Sequence, residues 1–322
     1  MRRLQWLIGF GAFLALLLSH LMHGMVDISL VAPAGSVHHE ILMHVRVPRV
    51  LAAIAGGAGL SLCGLIMQTW FGNPLAGPSV LGVSSGAGLG VALLVLMGMT
   101  TSWWATAASA MAGSLLVLIL VLFVSHRFRT TTSLLIFGLM LNYVVGAMIT
   151  VLQAEAQQDA LQQFVFWGMG TFGHGSMATS LDLCGAVLLA GMGLRTMHRD
   201  LDIWTLGPLT AQSMGVNNST MRWRIVAIAG LLTGGITAAC GPVAFLGLAT
   251  PHVVRLLTKE RSHRVLIPLT ALTGAILAMG ADWVVKGFGG MEQGWPLNAV
   301  LSLIGGPMVI WVLVSKKDRL HD

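Results

Sequence analysis

Acidic side chains are the first candidates for chemistry in this sequence, and their placement argues against catalysis. Asp182 and Asp282 are the only carboxylates within the long apolar segments, and neither has a second acid beside it. The chain contains no H-E-x-x-H metal site and no nucleophile elbow. A proton-coupled carrier would also need acidic or histidine relays in the middle of those segments. We therefore predict a chain that catalyses no reaction of its own.

A phosphate-binding loop is also absent. The glycine-rich stretch at residues 82–88 lies inside an apolar segment, and no lysine follows it as in G-x-x-x-x-G-K-[ST]. We interpret its glycines as helix-packing residues. Any ATP and Mg²⁺ would therefore be bound by a separate partner chain, and we expect no cofactor in this one.

Histidine, methionine and cysteine could in principle bind a metal. Methionine occurs 19 times, and both histidine and methionine can coordinate haem iron. Exposed histidines are, however, also compatible with simple solvation, so haem stays open as a cargo. We interpret the three scattered cysteines as small core residues and predict no metal site. The histidines in question are His20, His23, His38, His39 and His44, and the cysteines are Cys63, Cys184 and Cys240.

Composition gives the setting for these residues. Hydrophobic residues make up 55% of the 322-residue chain and charged residues only 9%, against about 25% charged in soluble domains. Such a surface is stable only in lipid. The 40 glycines agree, because small residues let membrane helices pack closely.

The apolar segments predict an all-α integral membrane protein with about ten transmembrane helices in one domain, residues 1–322. The glycine-rich residues 167–170 and the short segment after Pro242 both suggest a broken or re-entrant helix. The predicted spans are 4–23, 47–71, 80–99, 103–125, 133–153, 164–173 running into 176–194, 223–239, 243–257, 265–286 and 297–314.

Basic residues set the orientation. With ten spans and a cytoplasmic N-terminus, every lysine and arginine except three falls on the cytoplasmic side, as the positive-inside rule requires. Both termini are then cytoplasmic, and we assign the chain to a bacterial inner membrane. The three exceptions are Arg46, Arg49 and Lys286. They are compatible with snorkelling, with an Asp282–Lys286 pair in one helix, or with a cationic rim that docks an acidic partner.

Three ordered stretches carry a resemblance to a known family. The chain resembles the FecCD-type permeases, which import iron–siderophores, haem and cobalamin, from about Arg46 to its C-terminus. The stretches are R-V-P-R at 46–49 with Met67 and Gln68, G-N-P-L-A-G-P at 72–78 with L-G-V-S-S-G-A at 81–87, and G-P-V-A-F-L-G-L at 241–248 with Pro251, His252 and Arg255.

The resemblance implies a type II ABC importer permease that pairs with a second protomer, identical or paralogous. It also implies two cytoplasmic ATPase subunits and a periplasmic substrate-binding protein as partners. In this family the R-x-P-R arginines meet acidic residues of the binding protein, which predicts docking by Arg46 and Arg49. Lys286 stands where the family usually has arginine, so we include it among the docking residues. A lysine keeps the positive charge but cannot form the two parallel hydrogen bonds that an arginine makes with a carboxylate.

The resemblance also places gate and coupling residues. A cytoplasmic coupling segment is expected at about 205–220, although this chain lacks the acidic residue that many members carry there. We expect the turn at residues 73–75 to narrow the inner end of the pathway, because a leucine constriction closes a pore by dewetting. The gate and pathway candidates are Asn73, Leu75, Gln68 and Asn142; the coupling candidates are Leu209, Ala211, Met214, Gly215 and Val216, with His252 and Arg255 organising the cytoplasmic face.

We therefore predict the permease subunit of an ABC importer for an iron–siderophore complex, with haem and cobalamin as alternative cargoes. It would work by alternating access. The alternative is an ion-coupled secondary transporter or channel. Nucleic-acid binding is not expected, because the basic residues form no stripe with interleaved aromatics.

Overall fold

The computed structural model describes residues 2–24, 33, 35–99, 102–125, 131–287 and 295–318, and its elements within these ranges are helical. The π-helical turn Leu42–Arg46 joins α2 to α3 without a break. The helices are α1 Arg2–Met22, α2 Val37–Ile41, α3 Val47–Trp70, α4 Val83–Leu96, α5 Trp103–Ser125, α6 Thr131–Glu155, α7 Gln158–Gly168, α8 Met177–Thr196, α9 His198–Trp204, α10 Pro208–Ser213, α11 Asn218–Cys240, α12 Leu246–Thr258, α13 His263–Gly287 and α14 Leu297–Asp318.

Length and composition alone identify fewer candidate membrane crossings than the predicted ten. Among the described residues, six helices are long and apolar enough to cross a bilayer, and α1, α4 and α14 each contain a shorter apolar stretch. The helices also outnumber ten, because α2, α7, α9 and α10 lie between the long ones. Ten crossings therefore stay a prediction. The charges assigned to Arg127, Arg129 and Arg319 lie outside the described residues.

Helix α3 occupies the centre of the protein. It packs against α8, α11, α12 and α13. Of the apolar 18-residue stretch in the continuous helical segment Val37–Trp70, 89% is buried. Glycines allow this packing: a Cβ on Gly57 would lie 2.3 Å from the carbonyl oxygen of Gly274, and one on Gly64 only 1.6 Å from that of Gly247. A membrane interior supplies little hydrophobic drive between helices, so close backbone contact has to supply the packing.

Both predicted helix breaks are confirmed, and they lie against each other. Helix α7 ends at Gly168 and α11 at Cys240, and the glycines that follow, Gly170 and Gly241, have φ values of +73° and +72°. Only glycine adopts such values without strain. The amide of Thr171 donates to the carbonyl of Cys240 at 2.8 Å. The start of α14 supplies further partners, because Leu297 N donates to Gly170 O and Asn298 Oδ1 accepts from Ala244 N. Such pairing is what membrane burial of irregular backbone requires.

Candidate functional site

A buried carboxylate joins three helices at one end of the protein. Asp282, in α13, is fully buried and accepts hydrogen bonds from Arg49 Nε and Nη2, both at 2.8 Å. It also accepts a bond from His20 Nε2 in α1 at 2.7 Å. A bidentate arginine–carboxylate pair with a third donor is the arrangement that makes a buried charge tolerable. These contacts fix the relative positions of α1, α3 and α13.

Lys286 completes this group, which we call the Asp282 cluster: His20, Arg49, Asp282 and Lys286. The ammonium of Lys286 donates to His20 Nδ1 at 2.8 Å, so the predicted pairing with Asp282 inside one helix is replaced by a contact with α1. His20 accepts at one ring nitrogen and donates at the other, which suits a neutral ring. The sequence indicates His20 only as a possible haem ligand and does not reveal this role. The available signal is a polar residue near the end of an otherwise apolar helix.

Arg46 points into the protein. Its side chain is only 5% exposed, and Nη1 donates to the carbonyls of Leu21 and Met22 at 2.6 and 2.7 Å. The last carbonyls of a helix have no partner within it and carry partial negative charge, so α1 ends on this cation. Arg49 keeps 21% of its side chain exposed. The three exceptional cations thus have roles inside the chain, while docking stays a prediction.

At the opposite end of α3, the turn at residues 73–75 is held by short polar contacts. Asn73 Oδ1 accepts from the amide of Leu75 at 2.9 Å, and His252 Nε2 donates to the carbonyl of Pro74 at 2.6 Å. Asn73 is 3% exposed, and its Nδ2 has no hydrogen-bond partner within the described ranges. Asn73 therefore shapes the turn, whereas Leu75 is half-buried and keeps part of its side chain accessible.

Gln68 and Asn142 likewise hold segments together. Gln68 Nε2 donates to the carbonyl of Leu248 at 3.1 Å, and its Oε1 accepts from Arg255 Nη1 at 2.6 Å. Asn142 accepts from Ser85 Oγ at 2.6 Å and donates to the carbonyl of Ser79 at 3.1 Å. The amides thus tie α3 to α12 and α6 to α4. His252 and Arg255 thus bind the turn and the end of α3, while their role in organising the cytoplasmic face stays a prediction.

A weakly polar cavity of about 320 Å³ lies beside these contacts. It is bounded by α4, α6, α7, the break before α12, and the start of α14. A cavity of this kind suits a passage that is not itself selective, because few strong donors or acceptors converge on one point. Its polar lining comes from Ser79, Ser84, Ser85, Trp167 and Asn298.

The predicted coupling segment forms the short helix α10 between two glycine turns. Gly207 precedes it with φ +108°, and Gly215 follows it with φ +89°. Leu209 is 83% exposed and Met214 is 56% exposed, whereas Ala211 is fully buried. Val216 is buried too. The predicted residues therefore divide: Leu209 and Met214 are exposed, Ala211 and Val216 are buried against the rest of the protein, and Gly215 permits the turn.

The acidic residue that holds the segment before α10 was not predicted from the sequence. Asp202, in α9, accepts bonds from the amide and ring Nδ1 of His263, both at 2.7 Å, and from Ser262 Oγ at 2.9 Å. Although partial burial alone would raise its pKa, the hydrogen bonds from His263 and Ser262 hold the pKa of Asp202 below its usual value. No sequence motif predicts this contact, because Asp202 and its partners Ser262 and His263 are about 60 positions apart in the sequence.

This shift gives a testable pH dependence. A carboxyl group with a lowered pKa in the folded state stabilises the fold above its unfolded-state value, and that contribution is lost as pH falls below about 4. Asp202→Asn should therefore destabilise the protein more near neutral pH than in acid. Detergent denaturation of the variant and the parent at both pH values measures the difference. Asp200→Asn, in the same helix, is the control; an equal effect of Asp202→Asn at both pH values would contradict the assignment.

Comparison with known proteins adds three findings. The profile of the FecCD transport family matches residues 7–315. The vitamin B12 import system permease protein BtuC of Vibrio cholerae is 33% identical over 311 residues, covering 96% of this chain and 93% of that one. The hemin transport system permease protein HmuU of Yersinia pestis is 32% identical, covering 87% and 85%. A solved chain described as a metal-chelate type ABC transporter, inward-facing, has a TM-score of 0.83 at 29% identity and covers 96% and 99%.

Proposed function

Because the chain belongs to the FecCD transport family, we propose that it carries a bulky metal chelate, such as an iron–siderophore complex, from the periplasm to the cytoplasm. It is an ABC importer permease, as its relatives are transport permeases. The named relatives transport vitamin B12 and hemin, and the structural relative is of metal-chelate type. These cargoes share a large size and a bound metal, which supports the class more strongly than any single compound.

The observation that carries the mechanism is the exposed apolar pair on α10. Leu209 and Met214 project from a short helix whose other face, Ala211, is buried. Exposed apolar side chains on a rigid support are typical of a protein contact. We take this surface as the site that receives the ATPase. The chain offers no phosphate-binding loop of its own, so ATP hydrolysis has to reach it from such a partner.

Support for alternating access comes from the C-terminal end of α3 and the turn that follows it. The Pro74 turn joins α3 to α12 through His252, and Gln68 joins them again through Arg255. A closed inner turn made from a few side-chain bonds can open as a unit when α12 moves. Leu75 lies in this turn, and we propose it as the gate, with the cavity near Asn142 as part of the pathway.

The Asp282 cluster and Arg46 support docking of the binding protein. Arg46, Arg49 and Lys286 supply three formal positive charges, against the carboxylates of Asp282 and of the exposed Glu40, six residues before Arg46. An excess of positive charge steers an acidic partner towards this end even when some cations are buried. We propose that the partly exposed Arg49 makes direct contact with the binding protein. Arg46 and Lys286 would contribute to the positive electrostatic potential that attracts it.

Helix α6 supports pairing of two protomers. Only 17% of its apolar 18-residue stretch is buried, and one face carries large exposed side chains. Lipid alone could cover them, but the single tyrosine of the chain, Tyr143, is 72% exposed there. We propose that a second protomer packs on this face beside the pathway. The exposed residues are Ile136, Leu139, Met140, Tyr143, Val144, Met148 and Val151.

The ATPase contact gives a direct prediction. Leu209→Glu should reduce co-purification with the ATPase by about tenfold or more, because a charge would be desolvated at the centre of an apolar contact. Pull-down of the tagged permease and quantification of the bound ATPase measures this. Leu209→Met keeps an apolar side chain of similar size and serves as the control. Full recovery of the ATPase with the glutamate variant would remove α10 from the interface.

Cargo and energy source are tested together in proteoliposomes that contain the complete transporter. A ferric siderophore, haemin and cyanocobalamin are supplied outside with the binding protein, and ATP is supplied at the ATPase. Uptake that requires ATP and stops with vanadate supports the importer. Uptake that follows an imposed proton or sodium gradient without ATP would favour the ion-coupled alternative. The probe with the highest rate identifies the cargo class.

A further inference from the structure

Helix α9 connects α8 to the coupling helix α10, and it also makes side-chain contacts with α13 and α3. Asp202 accepts three hydrogen bonds from Ser262 and His263 at the start of α13. His263 Nε2 in turn lies 2.8 Å from Thr69 Oγ1 near the end of α3. His263 is 1% exposed. A polar chain therefore runs from α9 through α13 to α3.

A pair of tryptophans makes a second connection at the same place. The rings of Trp70 and Trp204 stack with centroids 4.1 Å apart and planes 9° apart, and Trp204 Nε1 donates to the carbonyl of Trp70 at 3.1 Å. Leu201, on the same helix, is fully buried. We call Thr69, Trp70, Asp202, Trp204 and His263 the α9 joint.

The two helices held by the α9 joint, α3 and α13, contact each other along their whole length. They run antiparallel, with Gly57 and Gly274 in backbone contact at mid-length. At their far ends Arg49 and Asp282 form the bidentate pair. Contacts at both ends and the middle prevent the helices from sliding past each other. The 20 residues from Arg49 to Thr69 rise about 30 Å, which matches the hydrocarbon thickness of a bilayer.

We propose that the α9 joint is where movement of α10 enters the membrane-spanning part, and that α3 and α13 carry it as a rigid pair to the Asp282 cluster. The inference rests on the proposed function, since it takes α10 as the ATPase contact. The other end of α10 leads to α11 through a turn and the exposed cap bond from Thr220 N to Asn217. The described residues of that turn make no side-chain hydrogen bond to α3 or α13, so the path to these two helices runs through α9. A displacement at the ATPase thereby reaches the docking end of the chain.

The test uses the full transporter in proteoliposomes with a reporter at the far end. Val45→Cys places a thiol at an exposed position beside Arg46, in a chain that also carries Cys184→Ala; Cys63 and Cys240 are buried and stay. The rate of labelling by a membrane-impermeant maleimide is measured without nucleotide and with ATP plus vanadate. The joint variants are Asp202→Ala and Trp204→Ala, with Asp202→Asn and Trp204→Phe as milder forms. Asp200→Ala, elsewhere on α9, is the control.

The expected result is a nucleotide-dependent labelling rate in the reference chain and in Asp200→Ala. In Asp202→Ala and Trp204→Ala the ratio of the two labelling rates should fall to about one, while the ATPase stays bound and active. The reason is that α3 and α13, once separated from α9, no longer change position with the nucleotide state. Trp204→Phe and Asp202→Asn, which keep the ring stack and part of the polar contact, should retain an intermediate ratio and show that a loss is not one of folding.

The outcomes separate the two proposals. An unchanged ratio in all four joint variants would overturn the α9 joint, and so would a reference chain that hydrolyses ATP with a ratio of one. Failure of the reference chain to bind an ATPase at all would overturn the proposed function. It would overturn the α9 joint as well, because the joint would then have no movement to transmit.

Discussion

Replacement of Asp282 by alanine should lower the free energy of unfolding by about 3–5 kcal/mol, the usual result of removing one partner from a buried ion pair. The carboxylate is fully buried and satisfies Arg49 and His20 together. Its loss leaves a guanidinium without a counter-charge inside the protein. Denaturation of the purified chain with an ionic detergent, followed by circular dichroism, measures the loss.

The control is Asp182→Ala, which removes an exposed carboxylate from α8 and should change stability by less than about 0.5 kcal/mol. The double variant Arg49→Met with Asp282→Leu should be less damaging than the sum of the single variants, because both charges then leave together. Additive losses would mean that Arg49 and Asp282 stabilise the fold independently, contrary to the geometry.

Gly64→Ala should destabilise the protein by about 3 kcal/mol or more, at the upper end of over-packing effects. The new Cβ would lie 1.6 Å from the carbonyl oxygen of Gly247, so α3 and α12 would have to separate. Backbone atoms cannot turn aside as a side chain can. Because α12 carries His252 and Arg255, the same change should also reduce transport in the fraction that folds.

Gly185→Ala tests whether the effect comes from the contact. Gly185 is also within a membrane helix, but nothing lies within 4 Å of an added Cβ. Alanine there should be neutral or stabilise the helix by up to about 1 kcal/mol. Equal destabilisation by the two substitutions would show that the α3–α12 approach is not a constraint on the fold.

Local sequence signals were sufficient for the elements and their breaks. Glycine at 170 and 241 and proline at 242 predicted interruptions, because each acts on its own backbone. Runs of apolar residues likewise predicted the long helices, because the length of such a run can also be read from one stretch of sequence. The family resemblance placed a coupling segment at about 205–220; a short helix, α10, lies within it, and its coupling role stays a prediction. The number of crossings was less secure, because short helices such as α12 are below the length of an ordinary span.

Contacts between distant residues were beyond such reasoning. Arg49 and Asp282 are 233 positions apart, and which cation meets which carboxylate depends on how the helices rotate and cross. Arg46 was therefore placed on an outer rim, although it turns inward to cap α1. The same limit hid the Asp202–His263 contact. It also left Leu209 and Ala211 in one group, although they face opposite sides of α10.

The π-helical turn Leu42–Arg46 has a consequence for how this region can vary. Such a turn holds one residue more than an α-turn, and each residue rotates a helix by about 100°. Deleting one residue here would therefore rotate helix α2, Val37–Ile41, about the axis of α3, while the hydrogen bonds between Arg49 and Asp282 would remain. The direction of helix α2, which precedes Arg46 and Arg49, is thus set by this extra residue, separately from the Arg49–Asp282 pair.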